Sequence, residues 1–226
     1  SDSTYMKWFA DTLFVIKNIT DSLNFPGLDP SLNYRKPFTR ADTLRGMLSI
    51  ERSCFDVFYQ KLTFKIFPET KSINGFNEIL FTAKSPQKRI QIDLFDNMKL
   101  DSVIFSGEKL IFSREFNAVF IELPEKLINE KQYKLSVFYH GTPRNAPDPP
   151  WNGGFVWGKN QNRHHVGVAC EHLGASCWWP NKDHLSDEPD SMDIFIIAPN
   201  GYDVISNGNL IGKQSAGDEF TKFQWH

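Results

Sequence analysis

The sequence predicts an all-β, mainly antiparallel fold of twisted sheets or a β-sandwich, with a short helix or arm at the N-terminus. Residues 56–66 alternate between apolar and polar side chains with a period of two, as a half-buried strand does. Phe occurs 20 times and aromatic residues make up 14% of the chain, which favours pleated strands. Short apolar runs separated by Gly, Pro and Asn recur at close intervals, a pattern typical of antiparallel sheets.

The expected elements follow in chain order. Residues 1–42 are assigned to an N-terminal helix and an extended, proline-rich arm, because Met6, Phe9, Leu13 and Ile16 have helical spacing. Residues 43–226 are assigned to the β domain. Strands are predicted over residues 56–66, 78–83, 89–94, 102–105, 110–113, 118–123, 133–139, 193–198, 203–206 and 221–225. In the first strand, one parity consists of Phe58, Leu62, Phe64 and Ile66, with Gln60 as its single polar exception.

Charge and hydropathy exclude two classes of partner. The formal net charge is -2, so the chain has no basic field for nucleic acid or an anionic membrane surface. The longest apolar run is far shorter than the ~20 residues that a membrane-spanning helix needs. We therefore expect neither nucleic-acid binding nor a membrane span.

Residues 141–189 differ from the rest of the chain. Prolines and glycines there are expected to break any regular element. The segment nevertheless contains four of the six tryptophans: Trp151, Trp157, Trp178 and Trp179. A long irregular segment with large aromatic residues is more often functional than a passive connection, although its tryptophans could simply pin a loop onto the sheet.

The same segment concentrates histidines and cysteines, but their spacing does not predict a metal site. The residues are His164, His165, Cys170, His172, Cys177 and His184. Structural zinc sites use regularly spaced ligand pairs that this arrangement lacks. Cys177 with His184 is a weak nucleophile candidate, and a buried structural cysteine is favoured. Whether Cys170 and Cys177 form a disulfide is left open.

One carboxylate is placed differently from the others. The acidic run 183–190 has the composition of a solvated loop, whereas Glu171 follows an apolar strand segment that contains Val166 and Val168. A carboxylate at the end of such a strand can receive a cationic group of a substrate. The sequence contains no H-E-x-x-H, no phosphate-binding glycine loop and no dinucleotide fingerprint.

Five motifs lie within residues 149–210: P-P-W-N-G-G-F-V-W at 149–157, V-G-V-A-C-E at 166–171, G-A-S-C-W-W-P-N-K-D at 174–183, S-D-E-P-D-S-M at 186–192 and S-N-G-N-L at 206–210. Together they resemble the N-terminal domain of the aminopeptidase N and leukotriene hydrolase family of zinc metallopeptidases. The resemblance covers roughly residues 43–226. It implies a saddle-shaped β domain that packs against a thermolysin-like catalytic domain, where H-E-x-x-H and a further glutamate bind zinc. Those ligands are outside these 226 residues, so we expect the chain alone to be inactive.

The resemblance also implies a role in substrate binding. A glutamate or glutamine of the family's first domain binds the free α-amine of the peptide, and Glu171 matches it, with Cys170 and His172 lining the same pocket. The implied partners are the chain's own C-terminal catalytic domain and a peptide with a free N-terminus. Many relatives have an arginine where this chain has Ser176 and Cys177. An exported or periplasmic location is a further expectation from the family resemblance.

Two other functions fit the sequence. One is a non-catalytic β-sandwich that binds peptide or carbohydrate through exposed tryptophans. The other is a relative that has lost catalysis and serves as a scaffold. Burial of the tryptophans distinguishes the first alternative from a peptidase domain, because a binding platform has to be exposed.

Overall fold

The computed structural model describes residues 37–160, 163–171 and 173–226. Thr39–His226 form one compact unit, and all contacts discussed below lie within it. The elements of this part are α1 (Arg40–Gly46), α2 (Ile50–Ser53), β1 (Phe55–Phe67), β2 (Ser72–Ala83), β3 (Arg89–Asp93), β4 (Met98–Phe105), β5 (Glu108–Leu110), β6 (Phe112–Glu115), β7 (Ala118–Glu122), β8 (Gln132–Gly141), β9 (Gly154–Asn160), β10 (Arg163–Ala169), a 3₁₀ turn (Ala175–Cys177), β11 (Ser191–Pro199), β12 (Leu210–Ser215) and β13 (Phe220–Trp225).

The predicted all-β class is confirmed. The strands form an eight-stranded sheet in the order β12-β13-β11-β1-β2-β8-β4-β5, a three-stranded sheet in the order β3-β7-β6, and the hairpin β9–β10. Neighbouring strands pair in antiparallel fashion except β1 and β11, which run parallel. The predicted helix within residues 1–42 lies outside the described residues.

One continuous core joins the large sheet to the three-stranded sheet. The large sheet contributes Leu62, Phe64, Ile79, Phe81, Val103, Leu135 and Val137, and the small sheet contributes Ile90, Ile92, Val119 and Ile121. These side chains are apolar and almost wholly buried, so they supply the main favourable term in folding. The short helix α1 adds Leu44, which packs with Ala118 and Phe120 of β7.

A bulge in β1 changes which residues face the core. The register of β1 against β2 shifts between Val57 and Tyr59. A bulge inserts one unpaired residue and reverses the side-chain parity beyond it. Val57 is therefore buried before the bulge and Gln60 after it, whereas Phe58 is only half-buried. The prediction that Phe58 shares the buried face of Leu62 is therefore wrong, whereas Gln60, the polar residue of that parity, does lie on it.

Two predicted strands need correction. The segment 110–113 is not one strand, because the chain passes at Ile111 from β5 of the large sheet to β6 of the small sheet. Residues 203–206 form no strand and belong to the connection between β11 and β12. The end of that connection is held by a hydrogen bond, in which the Asn209 N–H donates to the His226 carbonyl at 2.7 Å.

The segment 141–189 is more regular than expected. It contains the β9–β10 hairpin and the 3₁₀ turn at Ala175–Cys177. The prolines of this segment lie at its two ends, over 143–150 and 180–189, so residues 151–179 keep every backbone N–H that a hairpin needs.

Helix α1 was not predicted, although a capping signal marks its start. The Asp42 N–H donates to Thr39 Oγ1 at 3.2 Å, and the Thr39 N–H donates to Asp42 Oδ2 at 2.8 Å. Neither α1 nor α2 in the described part is long and apolar enough to cross a membrane.

Candidate functional site

The β9–β10 hairpin leads directly into the turn that carries Glu171. In the hairpin, Ala169 at the end of β10 lies opposite Gly154 at the start of β9. Gly153, just before β9, passes so close to this end that an added Cβ would overlap the Ala169 carbonyl oxygen. Gly153 of the W-N-G-G-F motif thus allows the close backbone contact with Ala169, after which Cys170 and Glu171 follow.

A tight turn presents Glu171 to solvent. The Gly174 N–H donates to the Cys170 carbonyl at 3.0 Å, and the Leu173 N–H donates to the Glu171 carbonyl at 2.8 Å. Arg45 of α1 donates to the Leu173 carbonyl and ties the turn to the helix. The Glu171 side chain is exposed, and no salt bridge joins it to another described side chain. Its carboxylate is therefore available to a ligand.

Polar contacts that lead to a buried ion pair hold the segment after this turn against the small sheet. Asp183 Oδ2 accepts from the Ser176 N–H at 3.1 Å and from the Ser176 hydroxyl at 2.5 Å. The Asp183 N–H in turn donates to Asp93 Oδ2 at 3.2 Å. Asp93 pairs through its other oxygen with the fully buried Arg52, at 2.5 Å. Burial raises the pKa of the Asp93 carboxyl, and Arg52 opposes that rise.

A second set of contacts fixes the same segment to the large sheet. Lys182 is buried and donates to the Phe55 carbonyl of β1 at 2.5 Å and to the Asp187 carboxylate. Asp187 also accepts from the Val57 N–H, at 3.2 Å from each carboxylate oxygen. The buried Asn77 of β2 donates to the Pro180 carbonyl at 2.9 Å. The W-W-P-N-K-D and D-E-P motifs therefore supply anchors between the turn and both sheets.

The tryptophans of this region are mostly packing residues. Trp178 and Trp179 are both only 8% exposed. The Trp178 ring lies 4.9 Å from Phe64 and 5.4 Å from Phe155, centroid to centroid. Trp157 is half-buried, whereas Trp151 is 61% exposed. Because Trp178 and Trp179 are buried, neither ring can belong to an exposed binding platform.

The structure brings two of the three sequence-predicted site residues together. Glu171 and Cys170 share the turn, with Cys170 half-buried beneath it. His172 lies outside the described residues. The anchors Arg52 and Asp93 were missed, because they are 41 residues apart and belong to separate elements. No pattern of neighbouring residues could have identified that pair.

Nothing in residues 37–160, 163–171 and 173–226 forms a group of three or more His, Cys, Asp or Glu side chains able to hold a metal ion. The zinc implied by the family resemblance has no candidate ligand set within that part.

We expect Gly174→Ala to destabilise the protein more than Gly201→Ala, by about 1–3 kcal/mol. Both glycines have positive φ, 74° and 85°, so both substitutions place an alanine at a φ that L-residues rarely adopt. An added Cβ at Gly174 would also overlap the Asp183 carboxylate, whereas at Gly201 it meets nothing within 4 Å. Urea unfolding of the two variants measures the difference. Equal destabilisation would show that Asp183 does not confine this turn.

Solved structures of M1 zinc metallopeptidases have the same fold. A two-domain M1 zinc metallopeptidase E323A mutant bound to L-arginine matches with a TM-score of 0.63 and 20% identity over 76% of this chain. The M1 zinc metallopeptidase from Deinococcus radiodurans matches with a TM-score of 0.63 and 18% identity. A further E323A structure, bound to L-tryptophan, gives a TM-score of 0.64 and 19% identity. The described residues therefore adopt a fold that zinc metallopeptidases contain.

The match involves only part of each of those proteins. This chain covers 38% of the Deinococcus radiodurans chain and 39% of the L-tryptophan complex. No protein-family model and no curated protein matches the sequence. The likeness is thus one of fold, carried by about two fifths of the length of the solved peptidases.

Proposed function

We propose that this chain is the N-terminal domain of a zinc-dependent aminopeptidase and that Glu171 binds the α-ammonium group of the peptide substrate. The observation that carries the proposal is the exposed Glu171 carboxylate on a turn whose following segment is anchored to both sheets. A carboxylate on a rigid support forms a charge-assisted hydrogen bond with a cation at little ordering cost. The solved structures of the same fold are zinc metallopeptidases, one bound to L-arginine and another to L-tryptophan, which supports an amino-acid-binding role.

In this proposal the chain contributes substrate positioning and a separate domain contributes the chemistry. The partial coverage of the peptidase chains supports a second domain, which would carry zinc and hydrolyse the N-terminal peptide bond. Holding the α-ammonium group places the first peptide bond at a set distance from that metal, which is a proximity contribution. Cys170 is proposed to line the same pocket.

The gene provides the first test. Codons downstream of His226 should encode H-E-x-x-H followed by a glutamate, the ligands and general base of the missing site. A downstream region without that motif would favour the catalytically inactive scaffold. The isolated 226-residue chain should show no chelator-sensitive peptidase activity, and robust turnover by it would contradict the proposed division of labour.

We expect Glu171→Ala, made in the protein that includes the peptidase domain, to lower kcat/KM for free-amine peptides by about 10- to 100-fold. This range corresponds to the loss of one hydrogen bond to a charged group, about 1.5–3 kcal/mol. A des-amino substrate cannot form that bond, so its kcat/KM should stay unchanged. Comparing the two substrates isolates the ammonium–carboxylate interaction from general damage to the site.

Glu125→Ala is the matched control, because Glu125 is an exposed carboxylate on the connection after β7. It removes the same charge away from the turn and should change neither substrate's kinetics. If Glu171→Ala and Glu125→Ala behave alike, Glu171 is a solvated turn residue and the proposal is wrong.

A further inference from the structure

The Glu171 turn, residues 170–174, receives a hydrogen bond from the side chain of a distant helix. Arg45 Nη2 of α1 donates to the Leu173 carbonyl, although the two residues are 128 positions apart. The turn's own backbone bonds run from the Gly174 N–H to the Cys170 carbonyl, at 3.0 Å, and from the Leu173 N–H to the Glu171 carbonyl, at 2.8 Å. Within residues 37–160, 163–171 and 173–226, no other side chain donates to the backbone of this turn.

We propose that Arg45 is a positioning residue, which holds the Leu173 carbonyl and thereby fixes the direction in which Glu171 presents its carboxylate to the α-ammonium group of a peptide. This inference rests on the proposed function of Glu171. A hydrogen bond from a charged donor is stronger than a neutral one, whereas a short exposed turn with only its own backbone bonds opens easily. Arg45 therefore supplies the constraint that a carboxylate needs in order to meet a cation at a defined place.

The Arg45 residue is itself held at both its backbone and its side chain. Its carbonyl accepts a hydrogen bond from Arg52 Nη1 at 2.6 Å. Its guanidinium carbon lies 5.5 Å from the centroid of the Phe95 ring, within the range of a cation–π contact. The Phe95 N–H in turn donates to the Ser176 carbonyl at 2.8 Å, just after the turn. A donor that is fixed in this way loses little further freedom when it holds the Leu173 carbonyl.

Helix α1 provides a firm base for Arg45, because its anchor to the small sheet is buried. Gln91 Nε2 of β3 donates to the Leu44 carbonyl at 3.1 Å, and the Leu44 side chain packs with Ala118 and Phe120 of β7. An isolated helix of seven residues is too short to be stable in water, so these tertiary contacts keep α1 in place. The position of Arg45 is therefore set by the small sheet.

The hold on the turn continues a chain of contacts that starts at the buried ion pair. Asp93 Oδ1 accepts from Arg52 at 2.5 Å, and Arg52 holds the Arg45 carbonyl. Asp93 Oδ2 accepts from the Asp183 N–H at 3.2 Å, and Asp183 holds the 3₁₀ turn that follows the Glu171 turn. The Arg45 side chain is the last member of the first branch. Its removal should release the turn while the bond from Arg52 to the backbone carbonyl of residue 45 remains.

Amide hydrogen exchange of the 226-residue chain, followed residue by residue by NMR, tests the hold on the turn. In Arg45→Met, the N–H groups of Leu173 and Gly174 should exchange about 10-fold faster than in the wild type, because their protection depends on the closed turn. The N–H of Ile92, a core residue of β3, should exchange at the wild-type rate. Unchanged exchange at Leu173 and Gly174 would overturn the proposal, whatever the kinetics of the peptidase.

Two further variants separate the contact from general loosening of α1. Arg40→Met is the matched control, because it removes a guanidinium from the same helix that pairs with Glu115 on the surface and does not reach the turn. It should leave the exchange of Leu173 and Gly174 unchanged. Arg45→Lys keeps one cationic donor and should restore most of the protection that Arg45→Met loses. Equal effects of Arg40→Met and Arg45→Met would assign the change to the helix and contradict a positioning role for Arg45.

Kinetics of the protein that includes the peptidase domain test the link to Glu171. Arg45→Met should lower kcat/KM for free-amine peptides by about 3- to 10-fold and leave that for a des-amino substrate unchanged. In a Glu171→Ala background it should cause no further loss, because the two residues would act through one interaction. A full further loss in that background, or an equal loss with the des-amino substrate, would overturn the inference. If Glu171→Ala itself has no effect, the proposed function fails, and the exchange measurements still decide whether Arg45 holds the turn.

Discussion

Replacing Asp93 with asparagine should lower the free energy of unfolding by about 3–5 kcal/mol, the usual cost of breaking a buried ion pair from one side. Arg52 and Gln91 both donate to Asp93 Oδ1, and the Asp183 N–H donates to Oδ2. Asparagine has a single acceptor oxygen, so its amide N–H₂ would have to face at least one of these donors. The Arg52 guanidinium is fully buried and keeps its charge, which leaves it without a counterion.

The reciprocal variant, Arg52→Met, should show a penalty that depends on pH. Burial raises the pKa of Asp93, and the positive charge of Arg52 lowers it. Without Arg52, the pKa of Asp93 should therefore rise further. An acid whose pKa is higher in the folded state binds more protons folded than unfolded, so stability falls as pH rises through that range. The destabilisation by Arg52→Met should therefore be smaller at about pH 5 than at about pH 8. The penalty of Asp93→Asn should not follow this trend, because that variant has no carboxyl at the position.

An exposed ion pair serves as the control for the buried one. Arg40 and Glu115 form a two-contact pair on the surface, with side chains 54% and 41% exposed. Solvent screens such pairs, so Glu115→Gln should leave the unfolding midpoint in urea unchanged within error. A loss of stability in Asp93→Asn no larger than in Glu115→Gln would contradict the buried-anchor role of Asp93.

Trp178→Ala should destabilise the chain by about 3–5 kcal/mol, as large-to-small changes of buried aromatic residues do. Its ring packs edge-on against Phe64 of β1 and Phe155 of β9, and 6.0 Å from Trp179. Its removal would open a cavity between the large sheet and the hairpin, which the surrounding backbone cannot fully close. Urea unfolding followed by far-ultraviolet circular dichroism measures the loss.

Trp151→Ala is the matched control, since Trp151 comes from the same tryptophan-rich segment but is 61% exposed. We expect its free energy of unfolding to stay within about 0.5 kcal/mol of the wild-type value. The comparison also bears on the binding-module alternative, in which exposed tryptophans hold peptide or carbohydrate. Equal stability of the Trp178→Ala variant and wild type would contradict the packing role of Trp178.

Local patterns predicted the parts of the fold that depend on neighbouring residues. The alternation in 56–66 identified β1, and the apolar run in 193–198 identified β11, because the side-chain period of a strand is visible in its own sequence. The β1 bulge was not predicted, since the extra residue is defined against β2. The hairpin β9–β10 was not predicted, because prolines lie on both sides of it. The segment 141–189 as a whole is rich in proline, although residues 151–179 contain none.

The sequence by itself determined the all-β class, the position of Glu171 after an apolar strand, and the motif segments that became the turn and its anchors. Only the tertiary structure decided that Gln60 rather than Phe58 is buried, that Trp178 is a core residue, and that Arg52 pairs with Asp93. The physical reason is the separation along the chain of the residues that interact. Strand periodicity and turn chemistry act between residues a few positions apart, whereas ion pairs and packing join side chains that the chain path brings together from distant positions.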